Sequence, residues 1–380
     1  MTKRHIIMFF TIVLSLYGLM NFYIYRSGLA AIPSDSPLSH IYWVTFLFLV
    51  LAFPLGRIME RFVLFPLSSF LVWVGSFWLA AMVYLLFAAI IVDMARVINL
   101  AIPILPRLDE EIRLIVGGTI GVSVLVVVIA GHLNAVHPRI KMLNLTIPKN
   151  GQAMKSVRFA VASDIHLGTI VCKARLERIV EKINALDADI VLLPGDVVDE
   201  DIGPVIRQNL GEVLRTIQSR HGVYAVTGNH EYIGGVEAAC AYLIEHGITM
   251  LRDQSVKIHE SLYIVGREDV SYNRPGRKRK PLSELLAGID AQLPIIMMDH
   301  QPFRLHEAEE HGIDVQLSGH THHGQLWPFS YLTRRIFEVS WGYKKKGNTH
   351  VYVSSGVGSW GPPVRTGNRP EIIDLNIQFA

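Results

Sequence analysis

The stretch Ser163-Asp164-Ile165-His166-Leu167-Gly168 decides how this chain is read. It follows four apolar residues, Phe159, Ala160, Val161 and Ala162, that have the texture of a buried strand. Asp164 and His166 are two apart, so on an extended chain both side chains leave the same face. A carboxylate beside an imidazole at a strand end is half of a metal site. A lone Asp-x-His is more often a capping aspartate beside an unrelated histidine, so the reading turns on what comes after it.

Four further clusters follow in order. They are Gly195-Asp196-Val197-Val198-Asp199, Gly228-Asn229-His230-Glu231, Asp299-His300-Gln301-Pro302, and Gly319-His320-Thr321-His322 with His323 adjacent. Apolar runs predict strands over 157–162, 189–193, 223–227, 262–265, 294–298, 315–317 and 351–354. Helical periodicity falls over 173–186, 205–219 and 236–246. Each cluster sits just after a predicted strand, where open α/β sheets place their sites. Gly-Asp alone is a common turn. Asn is a poor ligand for zinc alone but suits a mixed site holding a hard cation. The glycines fall where backbone must come close. Two Asp, one Asn and four His can hold two divalent ions with Asp196 shared between them. Two such ions about 3.5–4 Å apart clamp a phosphoryl group and acidify the water that attacks it.

In this order the motifs resemble those of the calcineurin-like metallophosphoesterase family, from about residue 157 onward. The run SGVGSWGPPVR over 355–365 resembles the membrane-anchored bacterial branch of that family. The resemblance implies an α/β fold, a four-layer α/β/β/α sandwich with a dimetal centre at its top, preceded here by an N-terminal helical transmembrane region. It implies that Asp164, His166 and His322 hold one ion, that Asn229, His300 and His320 hold the other, and that Asp196 bridges. His230 is then expected to protonate the leaving oxygen or steady the phosphate, with Asp199 orienting it. Soluble phosphoprotein phosphatases of the family follow that aspartate with Arg-Gly. Here Glu200-Asp201 follows, which argues against a protein phosphatase. Arg365 is a candidate contact for an anionic substrate group, with an ordinary surface arginine as the alternative. The ions are expected to be two of manganese, iron or zinc, a choice that ligand type leaves open.

Composition separates the chain into two parts. Of 380 residues, 50% are hydrophobic, and the mean hydropathy of +0.32 is too apolar for one soluble domain. The excess lies in four stretches, 6–25, 41–55, 67–92 and 115–135. A spanning helix needs about 20 apolar residues, so the first, third and fourth qualify and the second is borderline, with re-entry as its alternative. Stretch 6–25 is longer than a signal-peptide core and is read as a retained anchor. With four spans, Lys3, Arg4, Arg57, Arg61, Arg139, Lys141, Lys149 and Lys155 collect on one side, and Arg26, Arg96, Arg107 and Arg113 on the other. That bias favours cytoplasmic termini; a second stretch that does not span reverses the side of the soluble part.

The expected organisation is a transmembrane region over 1–136, a linker over 137–155 and a phosphoesterase domain over 156–380. Net charge is only +3, so no nucleic-acid partner is expected. Cys172 and Cys240 form no metal or disulfide framework. The expected function is a phosphohydrolase anchored in the cell's inner (plasma) membrane by several spans. Its catalytic domain is cytoplasmic, and a metal-bound hydroxide cleaves phosphoester or pyrophosphate bonds of a small or lipid-linked substrate. The alternative is a catalytically silent sensor or interaction protein on the same fold, which requires a missing ligand; none is missing. A transporter is disfavoured because the spans hold almost no ionisable residues. The basic run 274–280 reads as a solvated loop or a contact for anionic headgroups. Trp327, Phe329, Tyr331 and Trp341 read as packing or as a lipid groove. Oligomeric state is not readable.

Overall fold

The structure, a computed structural model, describes residues 3–62, 65–104, 106 and 108–380, and the side chains of residues 3–6, 9 and 65 lie outside that description. The chain divides into two compact units, one running to Gly131 and the other spanning His132–Ala380.

The first unit is helical: α1 (Lys3–Leu29), α2 (Leu38–Met59), α3 (Phe65–Ala101) and α4 (Glu110–Ala135). Large apolar side chains such as Phe22, Trp43, Phe70, Ile91 and Leu125 stand exposed on them. Helices that are apolar all round suit a hydrocarbon solvent better than water. Among the described residues three helices, on α2, α3 and α4, are long and apolar enough to cross a membrane. The borderline second stretch therefore belongs to a 22-residue helix that carries Pro54 inside it. The expected span at 6–25 falls on α1, and its first residues lie partly outside the described side chains. Arg107, counted in the charge bias, lies outside the described residues altogether. The unit's buried centre is Ile24, Phe46, Trp78 and Met82, where the Trp78 indole donates to Asn21 Oδ1 at 3.0 Å.

The second unit contains two six-stranded sheets. Its strands are β1 (Arg139–Ile147), β2 (Ser156–Val161), β3 (Ile190–Pro194), β4 (Val223–Val226), β5 (Thr249–Met250), β6 (Gln254–Ile258), β7 (Leu262–Gly266), β8 (Ile295–Met298), β9 (Val315–Ser318), β10 (Gly342–Lys346), β11 (Thr349–Val353) and β12 (Glu371–Phe379). The first sheet has the order β1-β12-β2-β3-β4-β5 and the second β10-β11-β9-β8-β7-β6. Alternation along each strand builds the layers. Phe159 and Val161 on β2, and Ile190 and Leu192 on β3, meet Ile264, Met298 and Leu317 between the sheets. Their neighbours Ala160, Val191 and Leu193 face the other way, onto Leu176, Ile179 and Ile183 of α5 (Lys173–Asn184). On the outer face of the second sheet, Val265 and Met297 pack under Leu282, Leu285 and Ala308. The result is the expected α/β/β/α sandwich.

Two expectations need correction. The stretch 137–155 is not a plain linker, because β1 pairs in parallel with β12 from Arg139↔Glu371 to Ile147↔Phe379. Leu145 and Ile147 alternate with polar Asn144 and Thr146, so β1 buries one row against the inter-sheet core. The helix expected over 205–219 is two short ones, Ile202–Arg207 and Leu210–Leu214. Asn209 between them takes a left-handed φ of 52°, which ends the first helix.

Candidate metal centre

The loops after β2, β3, β4, β8 and β9 deliver the polar side chains. The first two loops run side by side: Asp164 N–H donates to Gly195 O at 3.1 Å and His166 N–H to Asp196 O at 3.0 Å. Asp164, His166, Asp196, His320 and His322 all hold positive φ, between 44° and 71°. Non-glycine residues adopt that region at a cost, and such residues cluster at functional sites. Gly195, at φ 85°, leaves room that a Cβ would not: the added atom would lie 2.6 Å from His300 Nδ1.

Seven side chains gather in two groups. In the first, His166 Nε2 lies 2.9 Å from His322 Nε2, and His322 Nε2 lies 3.5 Å from Asp164 Oδ1. In the second, Asn229 Oδ1 lies 2.7 Å from His320 Nδ1 and 3.3 Å from His300 Nε2. Asp196 Oδ2 lies between the groups, 3.1 Å from His300 Nε2 and 3.9 Å from His166 Nε2. Its other oxygen accepts the His230 N–H at 2.9 Å. Asp164 likewise spends Oδ1 on the His320 N–H at 2.8 Å. Its Oδ2 is buried and has no hydrogen-bond partner among the described residues.

This donor set fits divalent cations. His300 gives its Nδ1–H to Pro194 O at 2.8 Å, which leaves the Nε2 lone pair facing two oxygens, an arrangement that a shared cation relieves. Two donors about 2.1 Å from one ion, at right angles, stand about 3 Å apart, near the His166–His322 separation. Burial first, and then His300, pushes His320 down to about 4. Burial, His166 and Arg365 hold His322 well below its usual range. Both rings are therefore neutral, as ligands must be. Burial raises Asp196, but His300 first and His166 next pull it lower still, so it stays ionised. His300 itself is raised well above its usual value: burial lowers it, and Asp196 more than offsets that. A divalent cation held by His300 would take the place of that proton.

His230 stands beside the groups. Its Nδ1 lies 2.8 Å from Asp199 Oδ1, and Asp199 Oδ1 also lies 3.4 Å from His166 Nδ1. Burial lowers His230, but the Asp199 hydrogen bond and the Asp196 charge bring it up to about 9.

Glu231 carries no role in the sequence reading, yet its buried carboxylate accepts N–H groups from Gly228 at 2.7 Å, Val198 at 2.9 Å and Asp196 at 3.2 Å. It ties the second loop to the third. Asp299, beside His300, is gripped by Arg267 at 3.1 Å and Arg279 at 3.0 Å. One arginine of the basic run is therefore structural rather than solvated. Arg365 is the clear correction. It is fully buried and donates to Ser355 O, Gly358 O and Asn368 Oδ1. Its enclosed guanidinium, 3.0 Å from His322 Nδ1, is not the exposed arginine expected of a substrate contact and packs against His322 instead.

A family model described as calcineurin-like phosphoesterase matches residues 157–324. An uncharacterized metallophosphoesterase of Aquifex aeolicus is 31% identical over 250 residues, covering 65% of this chain and 94% of that protein. The chain belongs to the calcineurin-like metallophosphoesterase family. An uncharacterized metallophosphoesterase of Helicobacter pylori strain J99 is 34% identical over 230 residues, 60% of each chain. A zebrafish (Danio rerio) transmembrane protein with metallophosphoesterase domain is 32% identical over 270 residues, 67% of this chain and 61% of that one. The chain thus spans about 60% of the length of these last two relatives. Members of this family are metal-dependent phosphoester hydrolases, and the clustered residues here are candidate ligands for divalent ions. The apolar helices and the transmembrane relative associate the chain with a membrane.

Proposed function

We propose that this chain is a membrane-anchored phosphohydrolase that uses two divalent ions to cleave phosphoester or pyrophosphate bonds, on a lipid-linked substrate at the cytoplasmic face of the inner membrane. The observation that carries the two-ion reading is the position of Asp196 Oδ2, within 3.1 Å of His300 and 3.9 Å of His166, one from each group. When bound, the ions neutralise phosphate oxygens and acidify water. Asp164, His166 and His322 hold one; Asn229, His300 and His320 hold the other; Asp196 serves both. His230, anchored by Asp199, keeps a proton for the leaving oxygen. Glu231 and Asp299 hold the loops on which these side chains stand.

The test is hydrolysis of p-nitrophenyl phosphate, bis-p-nitrophenyl phosphate and pyrophosphate diesters by detergent-solubilised protein with manganese added, then a panel of lipid-linked phosphates. Asp196→Asn is expected to lose metal and turnover together. His230→Ala is expected to keep metal and lose turnover by about 10²–10⁴-fold. Full activity in His230→Ala removes the assigned acid, and inactivity of the unaltered, metal-loaded protein on the whole panel removes the hydrolase reading.

A further inference from the structure

Six large apolar side chains stand in water on two neighbouring segments of the second unit. They are Trp327 (54% exposed), Phe329 (39%), Tyr331 (65%), Leu332 (57%), Ile336 (55%) and Trp360 (52%). Single exposed apolar residues are ordinary, but a group of this kind marks a surface that something covers. The two segments are tied together. Gln325 donates from Nε2 to Trp360 O and Pro362 O, both at 2.9 Å, and accepts the Trp360 N–H at 3.2 Å. Thr366 Oγ1 accepts the Trp327 N–H at 2.9 Å.

On the helix Ser330–Ile336, Leu332 and Ile336 are four apart and share one strip, and Tyr331 stands over Arg335 in the same way. Ser330 is buried. Arg334 and Arg335 are exposed and have no carboxylate partner among the described residues. The nearby Lys344 and Lys346 differ, since Glu338 pairs with both. Tryptophan and tyrosine with aliphatic neighbours and exposed arginines is the composition of an element that lies in a lipid headgroup region. Arg334 reaches His323 Nε2 at 3.4 Å, and the positive charge of the two exposed arginines complements anionic headgroups. The surface also runs up to the metal centre. Phe337, next after the helix, has its ring 5.9 Å from His320 and 5.0 Å from Phe303. The Trp360 ring is 6.3 Å from His230.

Building on the membrane-anchored reading above, we propose that this face seats on the surface of an anionic bilayer, with Leu332, Ile336 and the two indoles entering the headgroup layer. The His230 side of the centre then opens toward the lipid phase.

The test uses the full chain with Cys172→Ser, since Cys240 is buried. It carries a nitroxide at Leu332→Cys or, as a control on α5, at Glu177→Cys. Each is reconstituted in phosphatidylcholine vesicles with or without phosphatidylglycerol. The Leu332 label is expected to collide severalfold more with oxygen than with a water-soluble nickel complex when phosphatidylglycerol is present. Arg334→Gln with Arg335→Gln reduces that preference, and the Glu177 label stays aqueous throughout. A Leu332 label as aqueous as the control in both vesicle types overturns the proposal. So does equal insertion without phosphatidylglycerol, which removes anionic lipid as the partner. Protection in detergent that grows with protein concentration assigns the face to a second copy instead. The label is read without turnover, so a seated but inert enzyme counts against the hydrolase reading alone. An active enzyme with an aqueous label counts against this proposal alone.

Discussion

The Arg365 guanidinium lies 3.0 Å from His322 Nδ1, on the side of the ring away from the other candidate ligands. Arg365 also spans Ser355, Gly358 and Asn368, so one buried cation sets the position of a candidate ligand ring. Arg365→Met is expected to weaken metal binding by about 10–100-fold, as loss of a ligand's supporting partner does. At saturating metal, KM for p-nitrophenyl phosphate should stay unchanged. Calorimetric metal titration beside steady-state kinetics checks this; a raised KM with unaltered metal affinity returns Arg365 to substrate contact.

Glu231→Gln replaces a carboxylate that accepts three N–H groups with an amide that presents two donors of its own. Leaving buried N–H groups unpaired costs about 1–3 kcal/mol. The expected outcome is a lower Tm and a lower metal content together, read by thermal unfolding and elemental analysis of the same sample. A lower Tm with full metal content would confine Glu231 to general stability.

Asp199→Asn keeps the size of the side chain that anchors His230 but removes its charge. If His230 protonates the leaving oxygen, the loss must depend on how much the leaving group needs a proton. Turnover of phenyl phosphate is expected to fall about a hundredfold and that of p-nitrophenyl phosphate much less. Equal losses on the two esters would show that Asp199 supports the metal ligands rather than the acid.

Away from the site, Arg158 grips Asp374 with two hydrogen bonds of 2.8 Å. Those bonds hold the carboxyl below its ordinary 3.8, against a smaller opposing effect of burial. A carboxylate with a lower pKa in the folded state stabilises above its unfolded pKa and loses that contribution as pH falls through the folded one. Because Arg158 is partly exposed, Asp374→Asn is expected to cost only about 0.5–1 kcal/mol at pH 7. The difference from the unaltered chain should shrink as pH drops from about 5 to below 3, followed by thermal unfolding across a pH series.

Much of the fold and site was legible because short-range patterns carried it. The alternation of Phe159 and Val161 with Ala160 and Ala162 announces a strand with two different faces. The ligand types sit in compact motifs at strand ends. What escaped notice depends on partners far along the chain. Glu231 meets the backbone of Asp196 and Val198 35 and 33 positions away, and nothing near Glu231 records it. Whether Arg365 is buried or exposed is decided by Ser355, Gly358 and His322, not by the Gly-Pro-Pro turn before it. The break at Asn209 rests on one left-handed residue, which helical periodicity over 205–219 masks.

The order β1-β12-β2 has a consequence for biosynthesis. The first strand made after the membrane helices is separated from the second by one that begins at Glu371. No nascent chain that stops short of that residue can finish the first sheet. β1 must therefore wait with its pairing edge open while more than two hundred residues are translated. During that interval it is the segment most in need of protection from pairing with the wrong strand.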